Sequence, residues 1–114
     1  MTVKLLNPAG LYDSSPNAYS QVATVPAGQR LAFISGQGGD NPDGSFSPDF
    51  AAQAASAFSN VGLALAALGA GPENVAKITV LIGAHHPAAT LIPVPCLALP
   101  QMLIEVEAIA ALPA

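Results

Sequence analysis

Glu105 and Glu107, in the stretch "LIEVEAIA", are two carboxylates spaced for acid–base work. On an extended strand, residues i and i+2 share a face about 7 Å apart. Two carboxylates that close repel each other, and a partly buried one is placed to give or take a proton. The competing reading is structural: both face solvent at the rim of a sheet.

Three other stretches invite chemistry. His85 and His86 in "IGAHHPAAT" would point to opposite faces of extended backbone, so one metal ion could not easily take both. No HxH, HxxxH or CxxC spacing supplies further ligands, and no metal site is expected. A solvated loop, or one histidine at a subunit interface, is the better reading. Cys96, between Pro95 and Leu97, has no neighbouring base and reads as a buried, inert thiol. "SGQGGDNPDG" lacks the Lys-Ser/Thr of a phosphate loop, and Gly36-x-Gly38 has no third glycine at position 41. No helix starts at once after it to receive a phosphate, and its acidic positions do not fill a calcium loop. Turn chemistry accounts for it.

These groups must be carried by a small set of elements. "VKLL" is a short strand ended by "NPAG". "AYSQVATV" and "RLAFIS", joined by "PAGQ", read as a hairpin. Ser47-Pro48-Asp49 signals a helix start, with Ser47 as cap and Pro48 in the first helical position. Phe50, Ala54, Phe58, Val61, Leu65 and Leu68 then form one apolar stripe over about five turns, stopped by Gly69, Gly71 and Pro72. That stripe reads as core. "AKITVLIG" is a β-branched strand, and "ATLIPV" is another, held to an edge or bulge by its prolines. In "LIEVEAIA", Ile104, Val106 and Ala108 point one way, while Leu103, Glu105, Glu107 and Ile109 point the other. The order implies an α/β fold, a mixed sheet with a helix packed on one face.

The chain has 114 residues, which fit one domain spanning 1–114. It is 52% hydrophobic and 9% charged, too apolar for a small monomer to hide, so a homo-oligomer is expected. Lys4, Arg30 and Lys77 are its only basic residues, against seven acidic ones. Nucleic acid, which demands clustered Lys and Arg, is not an expected partner. A lone cysteine suits a reducing compartment. The start lacks a signal peptide's apolar core, and the apolar stretches are broken before membrane-spanning length. The expected location is cytoplasmic, with no membrane partner.

Taken in order, "NPAGLY" with "AYSQ", "ISGQ" with its Gly/Asp loop, "DFAAQAASAFSNVGLALAALGAG", "VAKITVLI" and "IEVEAIA" resemble the RidA/YjgF family of reactive-intermediate deaminases. The resemblance covers nearly the whole chain. It implies a chorismate-mutase-like α/β fold, a homotrimer with pockets between subunits, and hydrolysis of enamines or imines such as 2-aminoacrylate to a keto acid and ammonia. It implies neither a metal nor an organic cofactor.

Residue by residue, the family's pocket tyrosine matches Tyr19 and the serine of its "SGQ" matches Ser35. The glutamate that holds or activates water matches Glu105, leaving Glu107 a structural part. A carboxylate can orient water and pass its proton to a leaving nitrogen. The chain departs from the family where active members carry Pro-Ala-Arg-Ser: here the stretch is "PAAT", with Ala89 at the arginine position. That arginine forks onto the substrate carboxylate, and losing such a clamp costs about 2–5 kcal/mol of binding. The frequent pocket cysteine is replaced by Leu91, and Cys96 lies too far along to stand in for it. Neither Arg30 nor Lys77 stands at a position the family uses, so neither is expected to replace the arginine.

A second departure concerns the crossover helix that the family places before the "PAR" segment. Between about residues 82 and 87 only "GAHH" is present. Parallel neighbours need a crossover of a dozen or more residues. Either a segment is missing from the chain as read, or the last strands are placed differently, for instance exchanged between subunits. Because both flanks keep the family's character, a missing segment is the reading adopted, and an intact mass of 11.4 kDa would sink it.

Two functions of different class follow from the resemblance. One is a diverged imine or enamine deaminase whose substrate lacks the usual carboxylate, or holds it by another group. The other is a catalytically silent trimer that binds or senses a small metabolite. A ribonuclease, as reported for some relatives, is disfavoured by the acidic charge.

Overall fold

A computed structural model describes residues 3–83, 92–93 and 97–113. Its strands and single α-helix follow the chain as β1 (Lys4–Leu6), β2 (Val22–Thr24), β3 (Leu31–Gly38), α1 (Phe50–Ala67), β4 (Val75–Ile82), β5 (Ile92–Pro93) and β6 (Ile104–Ala111).

The hydrophobic alternation of β6 decides the architecture. Its even residues Ile104, Val106, Ala108 and Ala110 are buried, and β6 lies inside a four-stranded sheet of order β3-β6-β4-β5. β6 pairs antiparallel with β3 and β4, while β5 runs parallel to β4. α1 packs on β3 and β6 and closes one face. The core joins Ala57, Val61 and Leu65 of the helix to Ile34, Val80, Ile82 and the even residues of β6. Each such large apolar side chain contributes about 1.5–3 kcal/mol by leaving water. The result is the expected α/β arrangement, a mixed sheet with a helix on one face.

Several local expectations are corrected. β2 pairs with β1, in the register Leu6↔Val22, and not with β3. The cause is Asn7: its Oδ1 accepts from the backbone N–H of Gln21 (2.9 Å) and from Ser14 Oγ (3.0 Å). This closes residues 7–21 into a loop and zips the strands on either side of it. The turn at Pro26–Gln29 does form, with Gly28 at φ 82°.

The helix starts two residues later than its Ser-Pro signal suggests. Asp49 is the N-cap, its side chain accepting from Ala52 N at 3.0 Å, and Ser47 Oγ accepts from Asp49 N. The buried face of α1 is Gln53, Ala57, Val61 and Leu65, so Phe58 and Leu68 of the expected stripe are exposed. Close approach of helix to sheet selects small Ala57 over Phe58. Gly69, at φ 69°, ends the helix as expected. At 18 residues without a charge, α1 does reach membrane-spanning length, contrary to the sequence reading; its buried face is spent on β3 and β6.

β5 pairs through only two positions, Leu81↔Ile92 and Ile82↔Pro93. The region of the expected crossover helix beyond Gly83 lies outside the described residues, as do His85, His86, Ala89, Leu91 and Cys96.

Candidate functional site

The open face of the sheet, opposite α1, carries the odd residues of β6. Glu105 is half-buried there and Glu107 is exposed. Across from them β3 is bulged: Ile34 faces Ala108, Gln37 faces Val106, and Ser35 and Gly36 lie between these pairs. Such a bulge puts two residues opposite one and re-aims side chains. Here it brings Ser35 and Gly36 over the glutamate-bearing face.

Gly36 gives Glu105 its place. A Cβ built on Gly36 would lie 2.6 Å from Glu105 Cδ and 2.8 Å from its Cγ. The carboxylate therefore lies across a backbone without a side chain, next to exposed Ser35. Gln37 Nε2 donates to Ser35 O at 3.1 Å, holding the bulge. Among the described residues, Glu105 makes no hydrogen bond or ion pair.

The start of β6 is fixed by a residue the sequence reading missed. Gln53 is 1% exposed. Its Nε2 donates to Ser47 O (2.7 Å) and Gln101 O (2.9 Å), and its Oε1 accepts from Leu103 N (2.9 Å). Leu103 O accepts in turn from Gly83 N. The backbone is thus held from both sides two residues before Glu105. A polar residue within an apolar stripe was the available signal.

Gly39 allows the helix to approach: a Cβ there would lie 2.6 Å from Gln53 Cα. The rest of the glycine-rich stretch is turn chemistry, as expected. Asp43 Oδ1 accepts from Ser45 N and Oγ, and Asn41 N donates to Ser45 O.

Tyr19 sits elsewhere. Ala18, at φ 58° and ψ 35°, reverses the chain after the helical turn Ser15–Asn17 and delivers Tyr19 to the wall of a cavity of about 960 Å³. Asn7, Gln21, Lys77 and Ile109 line the same cavity; Ser35 and Glu105 do not. Ile109 is four residues beyond Glu105, about 13 Å along the strand. One chain thus joins Ser35 with Glu105 and leaves Tyr19 apart. Among the described residues, no group of three or more side chains could hold a metal ion.

The family model described as Endoribonuclease L-PSP matches residues 13–85. The match includes Tyr19 and Ser35 and ends before Glu105. The solved structure of YyfB from Yersinia pestis, a Rid-family protein of unknown function, is 28% identical with a TM-score of 0.87, covering 98% of this chain and 100% of its own. The YjgF gene product of E. coli is 26% identical with a TM-score of 0.62, covering 94% of this chain and 92% of its own. E. coli TdcF, solved with bound serine, is 23% identical with a TM-score of 0.62, covering 97% of this chain and 98% of its own. No curated protein matches the chain significantly.

Proposed function

The chain belongs to the endoribonuclease L-PSP family, the Rid/YjgF proteins, and from that premise we propose that it hydrolyses small imines or enamines in pockets formed between copies of itself. The observation that carries this reading is the seating of Glu105 over Gly36, beside Ser35, on an uncovered sheet face. Glu105 takes a proton from water as the water oxygen attacks the imine carbon. The proton passes to the nitrogen, giving the carbinolamine; Glu105 then carries the hydroxyl proton to the same nitrogen as the C–N bond breaks and the C=O bond forms, so that ammonia leaves with a carbonyl compound behind. An enamine first takes a proton at carbon to become the imine.

The distance of Tyr19 from Glu105 favours an assembled pocket, with Tyr19 of one copy meeting Glu105 of the next. The exposed surface supports assembly. Phe33, 73% exposed, and Leu31 stand on the same open face as Glu105. A homotrimer is the form this reading takes. TdcF, a guide to fold alone at its identity, holds serine, a ligand of the size the reading requires.

Ala89 favours a second reading, a silent metabolite binder. Ribonuclease activity, carried in the family's description, fits poorly with three basic residues on separate segments, Lys4, Arg30 and Lys77. The deciding experiment is ammonia release from freshly generated 2-aminoacrylate and from neutral imines, by the natural protein and by Ala89→Arg. Release that disappears in Glu105→Gln supports the hydrolase. Saturable binding without ammonia from any imine supports the binder.

A further inference from the structure

The N-terminal ribbon and the four-stranded sheet each end in an unpaired strand edge. Among the described residues, β2 pairs with β1 alone and β3 with β6 alone. Backbone N–H and C=O groups alternate sides along a strand. Arg30 O accepts from Leu112 N, which turns the backbone groups of Arg30, Ala32 and Ile34 toward β6 and those of Leu31 and Phe33 outward. Gln21 N donates to Asn7 Oδ1 on the β1 side of its strand, so Val22 and Thr24 turn theirs away from β1. Each edge thus offers two residues whose donors and acceptors meet no strand among the described residues.

The two edges match. Gln29 N donates to Pro26 O across the turn. Continued along both arms, that pairing sets Thr24 opposite Leu31 and Val22 opposite Phe33, the four residues with outward groups. Leu31–Ile34, the flat stretch before the bulge, holds neither a charge nor a proline, the usual guards of a bare edge. Yet within one chain β2 lies against β4, on the other side of β6 from β3. The N-terminal unit is also self-contained. Among the described residues, the side-chain hydrogen bonds of Asn7, Tyr12, Asp13, Ser14, Asn17 and Gln21 all run within residues 7–21. None fastens it to the sheet, and Leu5, Leu6, Tyr12 and Val22 stay exposed. A unit that keeps its own bonds, on a short tether beside a bare edge, is built to exchange between copies.

We infer that the β1–β2 ribbon of one copy pairs with the β3 edge of the next, β2 running antiparallel to β3. The contact is head-to-tail, and in a homotrimer it closes as a ring of three. This deepens the reading of a pocket shared between copies, and rests on that reading for its chemistry. Continued toward the bulge, the same register sets Ser20 opposite Ser35. Tyr19 of the visiting ribbon then arrives beside the strand that seats Glu105. The exchange covers the exposed Leu31 and Phe33 in the same step.

Amide hydrogen exchange reads the edge directly. Where copies assemble, the amides of Leu31 and Phe33 should exchange at least about tenfold more slowly than after dilution to single chains, while Ala32, bonded to β6, stays protected in both. A mixture of 13C-labelled and unlabelled copies shows which chain supplies the partner: the nuclear Overhauser contact between Val22 and Phe33 should connect differently labelled copies. Leu31→Pro removes one outward N–H and spares the bonds to β6, so it should weaken association about tenfold. Leu31→Val keeps that N–H and should associate nearly as the natural protein does. Contacts between Val22 and Phe33 confined to one chain overturn the inference, as do Leu31 and Phe33 amides that exchange freely in the assembled protein. Equal association by the two Leu31 variants, or a natural protein that stays single at every concentration, overturns it too. Should Leu31→Pro fail to fold, the labelled mixture decides alone. Ammonia release keeps the hydrolase separate. Release from an imine by a protein whose ribbons do not exchange sinks the exchange alone. Ribbons exchanged between copies with no release from any imine sink the hydrolase alone.

Discussion

The Glu105 side chain occupies the space that a side chain at position 36 would need, with Cδ and Cγ at 2.6 and 2.8 Å from a Cβ built on Gly36. The obstacle is a flexible side chain, not backbone. Gly36→Ala should therefore fold with less than about 1 kcal/mol of lost stability while pushing the carboxylate aside. If Glu105 positions water, Glu105→Gln should cost about a hundredfold in kcat or more. Gly36→Ala should cost at least about tenfold through misplacement. Steady-state ammonia release with a thermal melt on each variant checks this. Full activity in Gly36→Ala would mean that the seat of Glu105 does not matter.

Position 39 makes the opposite prediction. A Cβ there meets the backbone of Gln53, which cannot step aside, so Gly39→Ala should destabilise by about 1–3 kcal/mol. Gln53→Leu should cost about 1–3 kcal/mol, because it leaves the half-buried carbonyls of Ser47 and Gln101 and the N–H of Leu103 without their partner. Urea midpoints measure both. A loss below about 0.5 kcal/mol for Gln53→Leu would remove it as the anchor of β6.

What sequence makes legible is periodicity and chain order. The alternation in "LIEVEAIA" places Glu105 on the open face, and the run after Asp49 places a helix. Register and small offsets are not legible. The bulges at Ser35–Gly36 and Ala76 each offset a strand by one residue, and only the first carries a signal, a glycine within the strand. Ala57 displaces Phe58 from the core because the helix sits close against the sheet, a tertiary constraint that hydrophobicity cannot rank. The ribbon β1–β2 turns on one side chain, Asn7, whose reach across the loop to Gln21 is invisible at that separation. The candidate site divides in the same way. Ser35 and Glu105 meet only through sheet register and the bulge in β3.

Two exposed carboxylates should give the fold a small acid sensitivity. Asp13 and Asp43 lie below the ordinary carboxylate value, each because the hydroxyl and then the backbone N–H of the serine two residues on bond to it. A depressed folded value stabilises the fold above the unfolded carboxylate range. That contribution is lost as pH falls through the lowered folded values. Asp43→Asn should therefore lower the melting temperature slightly at neutral pH and leave it unchanged at a pH below the lowered value. A difference that persists undiminished in acid would show that the charge is not what Ser45 responds to.

The last prediction concerns assembly. Phe33 lies on β3, at the edge of the four-stranded sheet, facing Ile109 across the β3–β6 pair on the face left open by α1. An aromatic side chain 73% exposed beside exposed Leu31 exposes more apolar area than a stable monomer of this size needs. Burying the two against a neighbouring copy would contribute about 2–4 kcal/mol to each interface. Phe33→Asp should then yield a folded monomer, because a carboxylate cannot be buried there unpaired. Light scattering should give a mass roughly three times the 11.4 kDa chain for the natural protein and a single chain for the variant. Ammonia release should vanish with the assembly, since Tyr19 shares its cavity with Ile109, about 13 Å along β6 from Glu105, and not with Glu105. A monomeric natural protein, or a monomeric variant with full activity, would overturn the shared pocket and place the whole reaction within one chain.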